Sequence, residues 1–114
     1  MFECIIWITL PLTNVADGNK GDPSFQKIAT FTFDPGFQVG DEFHISDWIL
    51  GAYGKSTFSA KAGIVSREIL IRPPNPSQKN SLFIVKIIAE ILDKEQIQEV
   101  CSILKELNPG RFMD

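Results

Sequence analysis

The chain's single histidine lies in a short acidic segment, and this segment is the clearest candidate for chemistry. The segment supplies four titratable side chains: Asp41, Glu42, His44 and Asp47. If it forms a strand, Glu42 and His44 lie two residues apart and therefore share a face. A carboxylate beside an imidazole can act as an acid–base pair or provide two metal ligands.

A metal centre needs more ligands than this segment offers. Zinc sites use at least three protein ligands, and no third ligand lies at a suitable spacing in the sequence. Charged residues on the solvent side of a strand are the commoner explanation of such a cluster. The sequence therefore predicts no metal and no cofactor. Under an enzymatic alternative, His44, Glu42 and Asp47 are the candidate catalytic residues.

A second segment contains part of a phosphate-binding loop pattern. Gly54, Lys55 and Ser56 form its Gly-Lys-Ser end and follow an apolar run. The full pattern requires a glycine five residues before Gly54, where Ile49 stands instead. The loop is also too short to surround a phosphate with backbone amides. We therefore expect no nucleotide binding here.

The composition is that of an ordinary globular domain. Of the 114 residues, 44% are hydrophobic and 22% charged, which is close to the globular average. The formal net charge of −3 argues against nucleic-acid binding, which draws its affinity from an excess of Lys and Arg. No apolar run has the length of a membrane-spanning helix. The sequence predicts one domain over residues 1–114, without a nucleic-acid or membrane partner.

The two cysteines indicate a compartment. Cys4 and Cys101 lie in apolar segments far apart in the sequence, and neither has a Cys or His neighbour at metal-ligand spacing. Unpaired cysteines that behave as small hydrophobic residues are typical of reducing compartments. We expect both to be buried and unbridged in a cytoplasmic protein.

Four segments have the alternation or the β-branched content of strands. They are Phe2–Leu10, Gln26–Phe33, Glu42–Leu50 and Ile64–Arg72. The first is apolar on both faces, which predicts a central position in a sheet.

The connections between these strands carry turn signals. Pro and Gly at 34–40 predict a hairpin-like return that places Phe43 and Ile45 beside Phe31, followed by a bulge at Asp47. The small, polar stretch Gly51–Gly63 is predicted to be a loop.

The longest apolar run, Leu82–Leu92, is followed by a clear amphipathic segment. In the second segment Asp93 can cap a helix, with Gln96 three residues later, as in a capping box. Apolar residues then recur at helical spacing: Ile97, Val100, Leu104 and Leu107. One continuous helix would bury two nearly opposite faces, so a strand followed by a helix is predicted. A short buried helix followed by a kink is the alternative for Leu82–Leu92.

These elements define an α+β fold. We predict a single small domain with a mainly antiparallel sheet of about five strands and one C-terminal helix packed on it. Strand order is not encoded in these patterns.

The function follows mainly from what the sequence lacks. Without a complete catalytic constellation, a non-enzymatic protein-interaction domain of adaptor, regulator or inhibitor type is favoured. The alternative is a small enzyme or ligand-binding domain using the Asp41-Glu42-His44-Asp47 strand and adjacent loops. Phe2–Leu10 and Leu82–Ile91 are apolar on both faces, and one helix covers only part of one face. Exposed apolar area therefore predicts another protein as partner and a homodimer.

Overall fold

The computed structural model describes residues 2–14, 23–50, 56–107 and 112–113. These residues form six strands and one helix: β1 (Phe2–Asn14), β2 (Pro23–Phe31), β3 (Glu42–Leu50), β4 (Ser56–Arg72), β5 (Leu82–Ile91), α1 (Lys94–Leu107) and β6 (Phe112–Met113). The run Leu82–Ile91 is thus a strand, as predicted. No helix within the described ranges is long and apolar enough to cross a membrane.

The strands form one strongly curled sheet in the order β2-β1-β5-β4-β3, and the short β6 pairs with β1. β1 and β5 lie at its centre and run parallel to each other. The other ladders are antiparallel. The prediction of a single small α+β domain with a mainly antiparallel sheet and one C-terminal helix is therefore confirmed.

The core lies on the concave face of the sheet. Alternate residues of the two central strands are buried there: Cys4, Ile6, Ile8 and Leu10 from β1, and Val85, Ile87, Ala89 and Ile91 from β5. The register places Ile6 directly beside Ile87, so the two strands contribute paired rows of side chains. Cys4 and Cys101 are both buried, as predicted.

Helix α1 packs on this core through one side. Asp93 caps it, because its carboxylate accepts hydrogen bonds from the N–H groups of Glu95 (2.8 Å) and Gln96 (3.3 Å). The Gln96 side chain donates a hydrogen bond to the Ser59 carbonyl at 3.4 Å instead of bonding back to Asp93. Asp93 therefore caps the helix without the reciprocal bond of a capping box. Three residues of the helix are buried: Val100, Cys101 and Leu104. Leu107 is 39% exposed, so the prediction that it docks in the core is wrong.

Two local predictions are also wrong. β2 and β3 do not form a hairpin; they lie at opposite edges of the sheet, and residues 32–41 connect them. The predicted loop Gly51–Gly63 contains the start of β4 from Ser56 onwards. Its buried positions Phe58, Ala60 and Ala62 alternate with exposed ones, but the two alanines make that alternation weakly hydrophobic.

The predicted bulge at Asp47 is confirmed. The β3–β4 register shifts between Ile45 and Trp48, and Asp47 has a φ of 53°. A residue other than glycine rarely adopts this left-handed backbone conformation outside turns and bulges. The bulge turns β3 at the edge of the sheet.

Leu104→Ala tests the position of the helix. We expect it to lower the free energy of unfolding by about 2–5 kcal/mol, because Leu104 is buried in the core. Leu107→Ala is the matched control and should change it by less than about 0.5 kcal/mol. Urea unfolding of both variants measures the difference. Equal costs would contradict the packing described for α1.

Candidate functional site

The structure places Glu42 and His44 on the same, outer face of β3, as the sequence predicts. His44 lies opposite Lys61 of β4, and both side chains are exposed. The Glu42 carboxylate forms an ion pair with the Lys61 ammonium group at 2.9 Å. Glu42 is therefore engaged by a lysine on the neighbouring strand, while the imidazole of His44 stands open to solvent.

The other two acidic residues of this segment have structural contacts. The Asp41 carboxylate accepts a hydrogen bond from the Gln38 N–H at 2.9 Å, which closes the turn before β3. The Asp47 N–H donates to the Ser59 hydroxyl at 3.1 Å, across the bulge. Within the described ranges, no group of three or more His, Cys, Asp or Glu side chains is placed to hold a metal ion. A catalytic role for His44, Glu42 and Asp47 stays a hypothesis.

A cleft of about 630 Å³ separates the two edge strands of the curled sheet. Its walls are mainly apolar, with Phe31 and Ile28 from β2 and Phe43 and Trp48 from β3. His44 and Asp47 line it from β3, and Lys27 lines it from β2. The cleft lining in the described part of the chain includes no carboxylate from another element to face His44.

Beyond the core, the concave face continues as an exposed apolar surface that we call the apolar shelf. It consists of Phe2, Phe33, Ile69, Ile71 and Phe83. Ile71 lies opposite Phe83, whose ring stacks on Phe2 at 5.4 Å between centroids. Phe33 packs edge-on against Phe31 at 5.6 Å. The exposed fractions are 63% for Ile71, 59% for Phe33 and 50% for Ile69.

The shelf is exposed because β4 extends past its neighbour. β3 pairs with β4 only between Ser56 and Gly63, whereas β4 continues to Arg72 and pairs there with β5. Beyond Gly63, β4 is therefore an edge strand, whereas β5 still pairs on its other side with Phe2 and Glu3 of β1. We define the arm as residues 68–84, which comprise the end of β4, the turn and the start of β5. Among the described residues β4 has no strand on its open side here, so its apolar side chains are only partly covered.

An ion pair lies beside the shelf, two residues before Ile69 on β4. Arg67 lies on the concave face and binds the carboxylate of Asp34. The same guanidinium donates to the Phe37 carbonyl at 3.1 Å, so it holds the 32–41 segment at two points. The hydrogen bond from Arg67, followed by that from the Gly36 N–H, lowers the pKa of Asp34 below its ordinary value. The pair fixes the segment that crosses between the two edge strands.

Cys4 lies on the same face but is not prepared for nucleophilic chemistry. Burial raises the pKa of its thiol, and the negative charge of Asp34 raises it further. The thiolate is the reactive form of cysteine, so these effects keep Cys4 as a packed thiol.

The tip of the arm is basic. Arg72 and Lys79 are the charged residues between positions 69 and 85. Both are exposed, and both line a shallow depression beside Leu82. The Arg72 guanidinium also donates to the Gln78 side-chain oxygen. The tip is therefore locally positive although the chain has a net charge of −3.

Part of the phosphate-binding pattern lies outside the described residues. Gly54 and Lys55 lie outside the described residues, and only the strand assignment is described for Ser56. The absence of nucleotide binding there stays a prediction.

No family model, curated protein or solved structure matches the chain significantly. Its function is therefore inferred from its own geometry.

Little in the sequence pattern indicates the shelf. Ile69, Leu70 and Ile71 read as ordinary strand residues, which are usually buried on at least one face. The available signal was their position directly before Pro73 and Pro74, at the end of a hairpin. Consecutive apolar residues near a hairpin tip have few neighbours to cover them.

Arg67→Gln tests the ion pair through its pH dependence. A carboxyl with a lowered folded-state pKa stabilises the fold above its unfolded pKa of about 4, and this contribution is lost as the pH falls through the folded-state value. We expect Arg67→Gln to lower the unfolding free energy at pH 7 by about 0.5–1 kcal/mol, because the pair is partly exposed. The difference from the wild type should shrink at acidic pH.

Lys61→Gln provides the control, since it removes the exposed pair with Glu42. It should change the unfolding free energy at pH 7 by less than about 0.5 kcal/mol. A difference between Arg67→Gln and the wild type that stays constant down to pH 2 would show that Asp34 is not the partner that matters.

Proposed function

We propose that the protein is a non-enzymatic interaction domain, of adaptor, regulator or inhibitor type, that binds another protein through the apolar shelf. The observation that carries this proposal is the exposure of Phe33, Ile69 and Ile71 on one surface. Soluble monomers rarely leave large apolar patches uncovered, and such patches mark interaction sites. The stacked rings of Phe2 and Phe83 form the base of this surface.

The charges around the shelf indicate the chemistry of the partner. Arg72 and Lys79 at the tip favour carboxylates, and Ile69 and Ile71 favour apolar side chains. A partner segment that presents apolar residues followed by Asp or Glu would satisfy both. Two cations are too few for binding along a phosphate backbone, which supports a protein partner over a nucleic acid.

A small enzyme or ligand-binding domain is the second candidate. The cleft between β2 and β3 supports it, because its volume of about 630 Å³ is within the usual range for small-molecule sites. The polar groups at its mouth are His44 and Asp47 from β3 and Lys27 from β2, and the lining includes no carboxylate from another described element to face His44, which gives little support for acid–base catalysis. We place the protein in the cytoplasm on the strength of its two buried, unbridged cysteines.

The double variant Ile69→Ser/Ile71→Ser tests the shelf. Tagged wild-type and variant proteins would be used to capture partners from an extract of the source cells, and the affinity of a captured, purified partner would then be measured. We expect the variant to weaken binding at least about thirtyfold, as for central residues of an interface. Arg72→Glu/Lys79→Glu should weaken it by about tenfold.

Val39→Ser is the matched control, because Val39 is also exposed but lies in the segment between β2 and β3. It should bind as the wild type does, and thermal unfolding should show that all the variants are folded. Capture of the same partner with unchanged affinity by the Ile69→Ser/Ile71→Ser variant would contradict the proposal.

A further inference from the structure

The outer face of the sheet, opposite the core, carries a second apolar surface. The β2–β1, β1–β5 and β5–β4 registers arrange its side chains in three rows across the strands. The rows are Lys27–Trp7–Ile88–Ser66, then Thr30–Ile5–Lys86–Glu68, and then Glu3–Ile84–Leu70. Trp7, Ile5, Ile84 and Ile88 at the centre are half-buried, so each keeps part of its side chain open to solvent.

Six charges lie on this face between the rows of Thr9 and Leu82: Lys27, Lys86, Arg72, Glu3, Glu68 and Glu90. In the described part of the chain, none of them takes part in an ion pair. The Lys86 ammonium group instead lies 5.8 Å from the centre of the Phe25 ring. Phe25 pairs with Thr9, so the Lys86 side chain reaches past the row that contains Trp7. The face therefore presents three cations and three anions that can each accept an external partner.

We propose that this face binds a second copy of the chain, with a two-fold axis that runs along the strands between β1 and β5. Rotation about such an axis places β1 of one copy over β5 of the other, and β2 over β4. The parallel direction of β1 and β5 is preserved, so each row meets the same row of the partner copy. Trp7 then packs on Ile88 at the centre of an isologous contact.

The charges of the face are complementary under this rotation. Lys86 faces Ile5 of the other copy, and its ammonium group reaches that copy's Glu3, one row away, when it leaves the Phe25 ring. Lys27 faces Ser66 of the other copy and lies one row from its Glu68. Rows are about 6.6 Å apart, within reach of these long side chains.

The area of the face predicts a weak dimer. From the row of Thr9 to that of Leu82 it measures about 26 Å along the strands and about 19 Å across four of them, or roughly 500 Å² per copy. The total of about 1,000 Å² is at the lower limit of specific interfaces. Because the sheet curls away on both sides, contact is closest at β1 and β5. We expect a dimer in rapid exchange with the monomer.

Sedimentation equilibrium between about 5 µM and 1 mM tests the dimer, over the range where weak interfaces associate. The apparent mass should rise from 12.8 kDa towards twice that value. Lys86→Glu and Glu3→Lys should each raise the dimer Kd by about tenfold or more, because each places like charges together. The double variant Lys86→Glu/Glu3→Lys should restore association, since the pair is only reversed.

Lys94→Glu is the matched control, because it makes the same charge change at an exposed position of α1, on the opposite side of the sheet. It should leave the Kd unchanged. Acrylamide quenching of Trp7 in a Trp48→Phe background gives a second readout that does not depend on charge variants, and quenching should fall as the concentration rises. A mass of 12.8 kDa at every concentration would overturn the proposal. So would a dimer that is disrupted by Ile69→Ser/Ile71→Ser and is indifferent to Lys86→Glu and Glu3→Lys.

Discussion

The parallel pairing of β1 with β5 is the contact on which the rest of the structure depends. Both strands carry apolar residues on both faces of the sheet. Their concave-face residues provide about half of the buried aliphatic side chains of the core. Two strands that are joined in parallel cannot be connected by a tight turn. The chain between them must therefore travel around the sheet, and it does so by placing β2 at one edge and β3 at the other.

This route explains the 32–41 segment and its ion pair. The segment leaves β2 at one edge and must reach β3 at the opposite edge without a helix to carry it. The Arg67 contacts with Asp34 and the Phe37 carbonyl hold it on the concave side, and the Phe37 ring packs near Phe43 at 6.0 Å. These Arg67 contacts thus hold the segment against the apolar core, next to the shelf.

The sequence predicts well what depends on neighbouring residues, and poorly what depends on distant ones. Alternation identified β2, apolar residues on both faces identified β1 as a central strand, and the capping residue Asp93 identified the start of α1. Alternation also placed Glu42 and His44 on one face. The choice of strand partners depends on contacts between distant segments, so the turn signals at 34–40 were misread as a hairpin. The shelf was missed for the same reason: the exposure of Ile71 depends on where β3 begins, at Glu42 opposite Gly63, which the local sequence around Ile71 does not contain.

The bulge at Asp47 opposes the addition of further strands to the open edge of the sheet. An open edge such as β3 offers a template on which other extended chains can add, and an uninterrupted apolar edge would promote stacking into amyloid-like assemblies. The left-handed residue breaks the regular spacing of the ladder in the middle of that edge. An incoming chain can pair with only a few residues on either side before its register fails. A single strained residue thus limits polymerisation at this edge of the sheet.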